Sequence, residues 1–170
     1  MGSKKEFRKL LLERRKQIQL SDREEYSVKI CEKLSTTDLS KVHSIHYYDP
    51  ILSLGEVNIR PFVTFIKKTY PSISLTYSKK IHEQWKNVFE HGEIISSNML
   101  FDLIIVPMLG FDSSLHRIGY GGGYYDKLLA QQRQSLKIGV CFEACKIDKI
   151  PVEAHDVPLD RIISEITLHT

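Results

Sequence analysis

The residues best suited to chemistry lie in one decapeptide, Arg117-Ile118-Gly119-Tyr120-Gly121-Gly122-Gly123-Tyr124-Tyr125-Asp126. Glycines without Cβ let the backbone take positive φ and come close to a ligand. Successive amide N–H groups can then converge on one anion, with the positive end of a following helix behind them. Phosphate suits such a pocket, and Arg117 at its entrance would add a two-pronged charge partner. The same glycines would also suit a mobile surface turn, and neither the P-loop ending nor the dinucleotide fingerprint is present. Asp126 tips the balance. A carboxylate one turn from a phosphate cradle repels its ligand unless a cation lies between them, and Mg²⁺ is the ordinary bridge. Its alternative role is a first-turn acid that complements the helix dipole.

Two further segments carry charge in useful patterns. Lys4, Arg8 and Arg15 recur at spacings that share one side of a helix, with Lys5 beside them. Arg14 stands at helical spacing from Phe7, Leu10, Leu11 and Ile18, which puts it within the apolar stripe. A guanidinium there must meet anions or carbonyls, and a bound phosphate or a structural ion pair serves equally. Near the other end, Pro151-Val-Glu153-Ala-His155-Asp156-Val-Pro-Leu-Asp160 gathers carboxylates and an imidazole in a proline-punctuated loop. It can complete a hard-cation site or simply be a solvated loop.

The elements that hold these segments follow from periodicity. Residues 4–19 read as a helix, and Ser21 with Glu24 as a capping box opening a second helix to about Leu34. Val42–Tyr48 reads as a strand stopped by Asp49-Pro50, and Pro61 as the first turn of a helix running to Tyr70. Ile73–Ser78 alternates like a strand, and residues 80–98 give little beyond a short strand around Val88-Phe89. Leu103–Val106 is a continuous apolar run, the pattern of a central strand covered on both faces. A long loop, a helix over Tyr124–Gln134, a strand over Ile138–Phe142 and a last one over Arg161–Thr167 complete the chain. Alternating helices and strands predict a three-layer α/β/α sandwich with a mostly parallel sheet, in a single domain over residues 1–170.

Composition narrows the class. A net charge of +3 is too small to argue for nucleic acid, and no apolar run approaches the roughly 20 residues of a membrane helix. The polar N-terminus does not read as a secretory signal. Cys31, Cys141 and Cys145 lack zinc-ribbon spacing and read as reduced core thiols, so a cytoplasmic location is expected.

Val106-Pro107, Phe111-Asp112 and the Arg117–Asp126 segment together resemble the signature of the 5-formyltetrahydrofolate cyclo-ligase family. Lys4-x-x-x-Arg8 with Arg14, and the closing Pro-x-Glu-x-His-Asp-x-x-Leu-Asp, resemble its terminal patterns in the right order. The resemblance implies a fold related to sugar-phosphate isomerases and CoA-transferases. It also implies ATP- and Mg²⁺-dependent conversion of 5-formyltetrahydrofolate to 5,10-methenyltetrahydrofolate. By that resemblance ATP would be held by Lys4, Lys5, Arg8, Arg14, Arg117, Ile118, Gly119, Tyr120, Gly121, Gly122, Gly123, Tyr124 and Tyr125. Lys4, Arg117 and Tyr125 would serve the chemistry, Ile51, Glu56 and Tyr124 the folate, and Asp126 and Asp156 the metal. A monomer acting on small molecules, with no nucleic-acid or membrane partner, is expected. The chain departs from the family pattern at Leu115, where glycine is usual, at Cys145 in place of a glutamine, and in lacking a Glu-Pro pair before the central strand. Another ATP-dependent enzyme on the same scaffold, or a non-catalytic nucleotide- or folate-binding module, would share most of these residues.

Overall fold

The computed structural model describes residues 2–82, 84–95 and 99–170. Helix α1 spans Lys4–Gln17 and α2 Leu20–Ser35. The capping box belongs to α1: the Ser3 hydroxyl accepts from the Glu6 amide and the Glu6 carboxylate accepts from the Ser3 amide. Sequence reading had put it on α2, but Ser21 lies inside the first turn there, and Gln19 occupies the cap without a side-chain bond.

Strand β1 (Ser44–Tyr48) is followed by a short 3₁₀ turn, then α3 (Arg60–Thr69), β2 (Ser74–Ile81) and β3 (Gln84–Phe89). Next come β4 (Leu103–Pro107), the short hairpin β5 (Gly110–Phe111) and β6 (Arg117–Ile118), and α4 (Tyr124–Gln131). The chain closes with β7 (Leu136–Val140), β8 (Arg161–Ile163) and β9 (Leu168–His169). The seven-stranded sheet has the order β3-β2-β1-β4-β7-β8-β9. Its five inner strands are parallel, and β3 and β9 join antiparallel at the edges.

The β4 run explains the layering. Leu103 and Ile105 pack with Ile30 and Leu34 of α2 and Phe62 and Ile66 of α3, whereas Ile104 and Val106 pack with Leu11 of α1 and Leu128 and Leu129 of α4. Successive strand residues alternate faces, so a wholly apolar strand must be covered twice. Each such aliphatic side chain contributes about 1.5–3 kcal/mol on burial. The result is the expected α/β/α sandwich.

Several boundaries differ from the sequence reading: α1 stops at Gln17 rather than residue 19, β1 starts at Ser44 rather than Val42, β2 runs on to Ile81, and β7 lies two residues earlier, at Leu136–Val140. The fourth helix stops at Gln131 rather than Gln134. The last strand ends at Ile163, because the Ser164 hydroxyl accepts from the Ile166 and Thr167 amides and turns the chain into β9. Residues 80–98 hold a full strand hairpined to β2, which the sequence read only at Val88-Phe89; Glu83 and residues 96–98 lie outside the described residues.

β1 lies between β2 on one side and β4 on the other. Loops leaving the carboxyl ends of β1 and β4 therefore diverge and open a crevice, the usual ligand site of a parallel sheet.

Candidate active site

A cavity of about 530 Å³ occupies that crevice. Tyr48, Asp49, Ile51, Leu54 and Glu56 reach it from the end of β1, Ser78 from β2, and Trp85 from β3. Pro107 and the whole Arg117–Asp126 segment reach it from β4 onward, Lys4 and Arg8 from α1, and Glu153, His155 and Asp156 from the loop before β8. Thus three segments far apart in sequence, each singled out by residue type, meet at one opening.

The glycine loop has the geometry that a cradle needs. Gly121 (φ +93) and Gly123 (φ +65) are left-handed, and Gly123 caps α4. A Cβ on Gly121 would come within 3.1 Å of the Arg8 guanidinium carbon, whereas one on Gly119, Gly122 or Gly123 would meet no protein atom within 4 Å. The protein's own packing therefore does not demand glycine at those three positions. They leave backbone bare toward open space. Arg8 donates through Nε to the Gly119 carbonyl at 3.0 Å, which ties α1 to the loop. The Tyr125 hydroxyl is buried beside the cavity with no hydrogen-bond partner among the described residues, and burial pushes it up from its ordinary titration range.

Charges are paired across the opening. Lys4 Nζ bonds both Asp156 oxygens, at 2.7 and 2.6 Å, with Glu153 at 3.4 Å. Arg117 donates to the Val157 carbonyl at 2.6 Å and pairs with Asp126. Asp126 and Asp156 thus border one cavity, each beside a cation. Among the described residues no group of three or more His, Cys, Asp or Glu side chains is preassembled for a metal. Two hard oxygen donors beside the glycine loop have the chemistry Mg²⁺ prefers, since that ion normally takes one or two carboxylates and completes its shell with phosphate and water.

Not every expected ligand lines the cavity. Lys5 is exposed and outside the lining. Arg14 is also outside it and donates to the Lys146 carbonyl at 3.0 Å, a carbonyl partner of the kind a guanidinium in the stripe needs. The core-directed arginine is Arg15. Leu11 is wholly buried while Leu10 is 43% exposed, so the buried stripe runs one residue later than the spacing from Leu10 suggested, and Leu11 with Arg15 defines it.

The opposite wall is mainly aromatic, with the buried Glu56 beside it. Trp85 packs on Tyr124 with ring centroids 5.5 Å apart. The Tyr124 hydroxyl bonds Asn87 and lies 2.7 Å from Ser78 Oγ. Ser78 in turn lies 2.9 Å from Nε2 of His46, whose Nδ1 is 2.9 Å from Thr76 Oγ1. His46 is wholly inside the sheet, stacked on Phe101, and burial drives its pKa down to about 3, so it is neutral. Sequence reasoning missed Trp85, Ser78, Asn87 and His46. Their only sequence signal is alternation along β1, β2 and β3, which places His46, Thr76 and Ser78 on one face.

Comparison with known proteins follows the same lines. The model of the 5-formyltetrahydrofolate cyclo-ligase family matches residues 70–165. The 5-formyltetrahydrofolate cyclo-ligase of Mycoplasma pneumoniae is 30% identical over 171 residues, covering 95% of this chain and 98% of that protein. The Escherichia coli K12 enzyme of the same name is 31% identical over 98 residues, 56% of this chain and 52% of its own. Among solved structures, a 5,10-methenyltetrahydrofolate synthetase from Mycoplasma pneumoniae superposes with TM-score 0.83 at 30% identity, over 96% of this chain and 99% of that one. The Aquifex aeolicus 5,10-methenyltetrahydrofolate synthetase gives 0.81 at 27% identity, over 98% and 91%.

Proposed function

Because the chain belongs to the 5-formyltetrahydrofolate cyclo-ligase family, we propose that it converts 5-formyltetrahydrofolate to 5,10-methenyltetrahydrofolate with ATP as phosphoryl donor and Mg²⁺ as cofactor. The observation that carries this reading is the single cavity with two unlike walls. One is cationic with bare glycine backbone (Lys4, Arg8, Arg117, Gly119–Gly123), the other aromatic with one buried acid (Trp85, Tyr124, Glu56). The family's kinship with isomerase and CoA-transferase folds belongs to the same proposal, as do a single domain, a cytoplasmic location and a monomeric state. Among the described residues no helix is long and apolar enough to cross a membrane.

The reaction asks little covalent chemistry of the protein. A formamide resists attack because nitrogen donates into its carbonyl. Transfer of the γ-phosphoryl group to the formyl oxygen forms an O–P bond and releases ADP. The folate's N10 then attacks the activated carbon and gives up its proton, and phosphate departs with the former formyl oxygen. No protein nucleophile is needed, which accords with the absence of a catalytic triad in the sequence.

The chain's own groups have three tasks. Lys4 and Arg117, now resting on Asp156 and Asp126, are placed to share their donors with phosphate oxygens as charge moves. The glycine amides and Arg8 would hold the triphosphate in line, converting a two-body encounter into a positioned one. Tyr125, with its hydroxyl proton uncommitted, can donate to an oxygen entering the cavity. Mg²⁺, when bound through Asp126 and Asp156, would neutralise charge on the phosphates. On the other wall, Trp85 and Tyr124 offer a flat apolar face for the substrate's rings, and Glu56 and Ile51 border the same space.

The test is direct. Protein, MgATP and 5-formyltetrahydrofolate are mixed, and the near-ultraviolet absorbance of 5,10-methenyltetrahydrofolate is followed with and without ATP. ATP-dependent product supports the proposal. ATP hydrolysis indifferent to folate would redirect it to another acceptor on the same scaffold, and folate binding without turnover to a binding module.

A further inference from the structure

Arg15 is 2% exposed, the most deeply buried cation among the described residues, and none of its contacts is a carboxylate ion pair. Nη2 donates to the Met108 carbonyl at 2.5 Å and Nη1 to the Tyr120 hydroxyl oxygen at 2.8 Å, while Nε has no partner. A buried guanidinium is costly to maintain without anions nearby. Its position says what it faces. The Arg15 stem lies 3.0–3.1 Å from where a Cβ on Gly55 would sit, and Gly55 has φ +66. The arginine is thus wedged beneath the turn that carries Glu56.

Arginine has donors only. Tyr120 must therefore accept from Arg15, and its single phenolic proton is left for another acceptor. The Glu56 carboxylate is beside it. Glu56 is 8% exposed, borders the cavity, and takes the Ile51 amide on Oε2 at 2.7 Å. Burial pushes this carboxyl up; the Ile51 amide, the Tyr120 hydroxyl and the Arg15 charge all pull the other way. The remaining groups around it are Asp49 and Tyr48 from the β1 end and Tyr125 from α4.

We infer that Arg15 is a positioning residue: through Tyr120 it holds the Glu56 carboxylate as an oriented acceptor, ready for ring N–H donors of the bound substrate. The Arg15–Tyr120 bond is in place at 2.8 Å, and the phenolic proton is free to turn to the neighbouring Glu56 carboxylate, which as an acceptor would face the ligand. For the identity of that ring, the inference rests on the reaction proposed above.

The experiment reads Glu56 first without ligand. In protein carrying ¹³C-carboxyl glutamate, with the Glu56 resonance assigned by Glu56→Gln, Arg15→Met should raise the Glu56 midpoint by about one pH unit or more, because a facing positive charge is lost. Tyr120→Phe should raise it by less, and Arg15→Lys should fall between wild type and Arg15→Met. Quenching of the single tryptophan, Trp85, then reports binding. Below the new Glu56 midpoint, Arg15→Met should bind 5-formyltetrahydrofolate about tenfold more weakly than wild type, recover as pH rises past that midpoint, and keep ADP affinity within about twofold. If Arg15→Met does not fold, Arg15→Lys, which keeps the charge but not the planar fork, carries the same comparison. An unmoved Glu56 midpoint, or equal losses for ADP and folate, overturns the inference. A shifted midpoint in a protein whose wild type binds no folate upholds the Arg15–Glu56 coupling and instead overturns the proposed substrate.

Discussion

Lys4 Nζ lies 2.7 and 2.6 Å from the two carboxylate oxygens of Asp156, joining the first turn of α1 to the loop before β8. Partial burial pushes this carboxyl upward, but the Lys4 ammonium and the Glu153 amide outweigh it and hold the group below the usual carboxylate range. A group depressed in the folded state contributes stability above its unfolded value, about 3.9, and loses it as pH falls through the lower folded value. Asp156→Asn should therefore flatten the acid side of the melting-temperature profile below about pH 4. Parallel profiles for the two proteins would show the pair contributes nothing to folding.

Gly121 and Gly122 separate packing from ligand binding. Gly121→Ala meets both the Arg8 guanidinium and a positive φ, and should cost about 1 kcal/mol or more in denaturant melts as well as raising the KM for ATP. Gly122→Ala meets nothing within 4 Å, so its melting temperature should stay at the wild-type value. If phosphate rests on that backbone, its KM for ATP should still rise by about tenfold, the scale of one lost charge-assisted contact. An unchanged KM in Gly122→Ala would move the nucleotide elsewhere.

His46 provides a pH test with a different window. Its folded pKa of about 3 lies below the unfolded value of about 6.5. Between these values the unfolded chain binds the extra proton, so stability is complete above about pH 6.5 and falls progressively toward pH 3. His46→Gln, which can still reach a hydroxyl, should lessen that fall. His46→Leu should do the same but cost about 1–3 kcal/mol at neutral pH by orphaning buried hydroxyl partners. Urea titrations at pH 7 and pH 4 decide it, and His46→Leu with undiminished neutral-pH stability would show the relay to be idle.

Leu115 stands where the family pattern has glycine, and its φ is +63. The Leu115 carbonyl accepts the Leu159 amide at 3.1 Å, and its side chain packs against the β4–α4 core cluster. In most half-buried sites alanine outperforms glycine. Here Leu115→Gly should be more stable than Leu115→Ala by about 1 kcal/mol, because alanine keeps the left-handed strain without the leucine's contacts. The ordinary ranking in a pair of melts would refute that account.

The sequence disclosed the site's cationic side more fully than its neutral side, for a physical reason. Lys4 and Arg8 stand at helical spacing, Arg117 and Asp126 flank a run of glycines, and Asp156 sits in a proline-punctuated cluster of carboxylates, all of them local signals. His46, Ser78, Asn87 and Trp85 become neighbours only when β1, β2 and β3 pair in register, which no short window of sequence reports. Arg14 and Arg15 show the limit of periodicity: one residue is a 100° rotation on a helix, and a stripe that counts Leu10 together with Phe7, Leu11 and Ile18 singles out the half-buried Arg14 rather than the buried Arg15. The layered architecture was legible because the apolar run of β4 leaves no other way to cover both faces.

The ion pair between α1 and the loop before β8 spans 152 residues of sequence, so the cavity is finished only when distant parts of the polypeptide have met. Contacts of that separation form late on the way to the native state. A ligand that bridges them should scarcely hasten refolding, yet it should slow escape from the native state, since it rewards contacts absent at the barrier. Kinetic traces with and without MgADP would accordingly differ on the unfolding limb alone, giving the protein a longer lifetime when supplied with nucleotide than its equilibrium stability by itself would suggest.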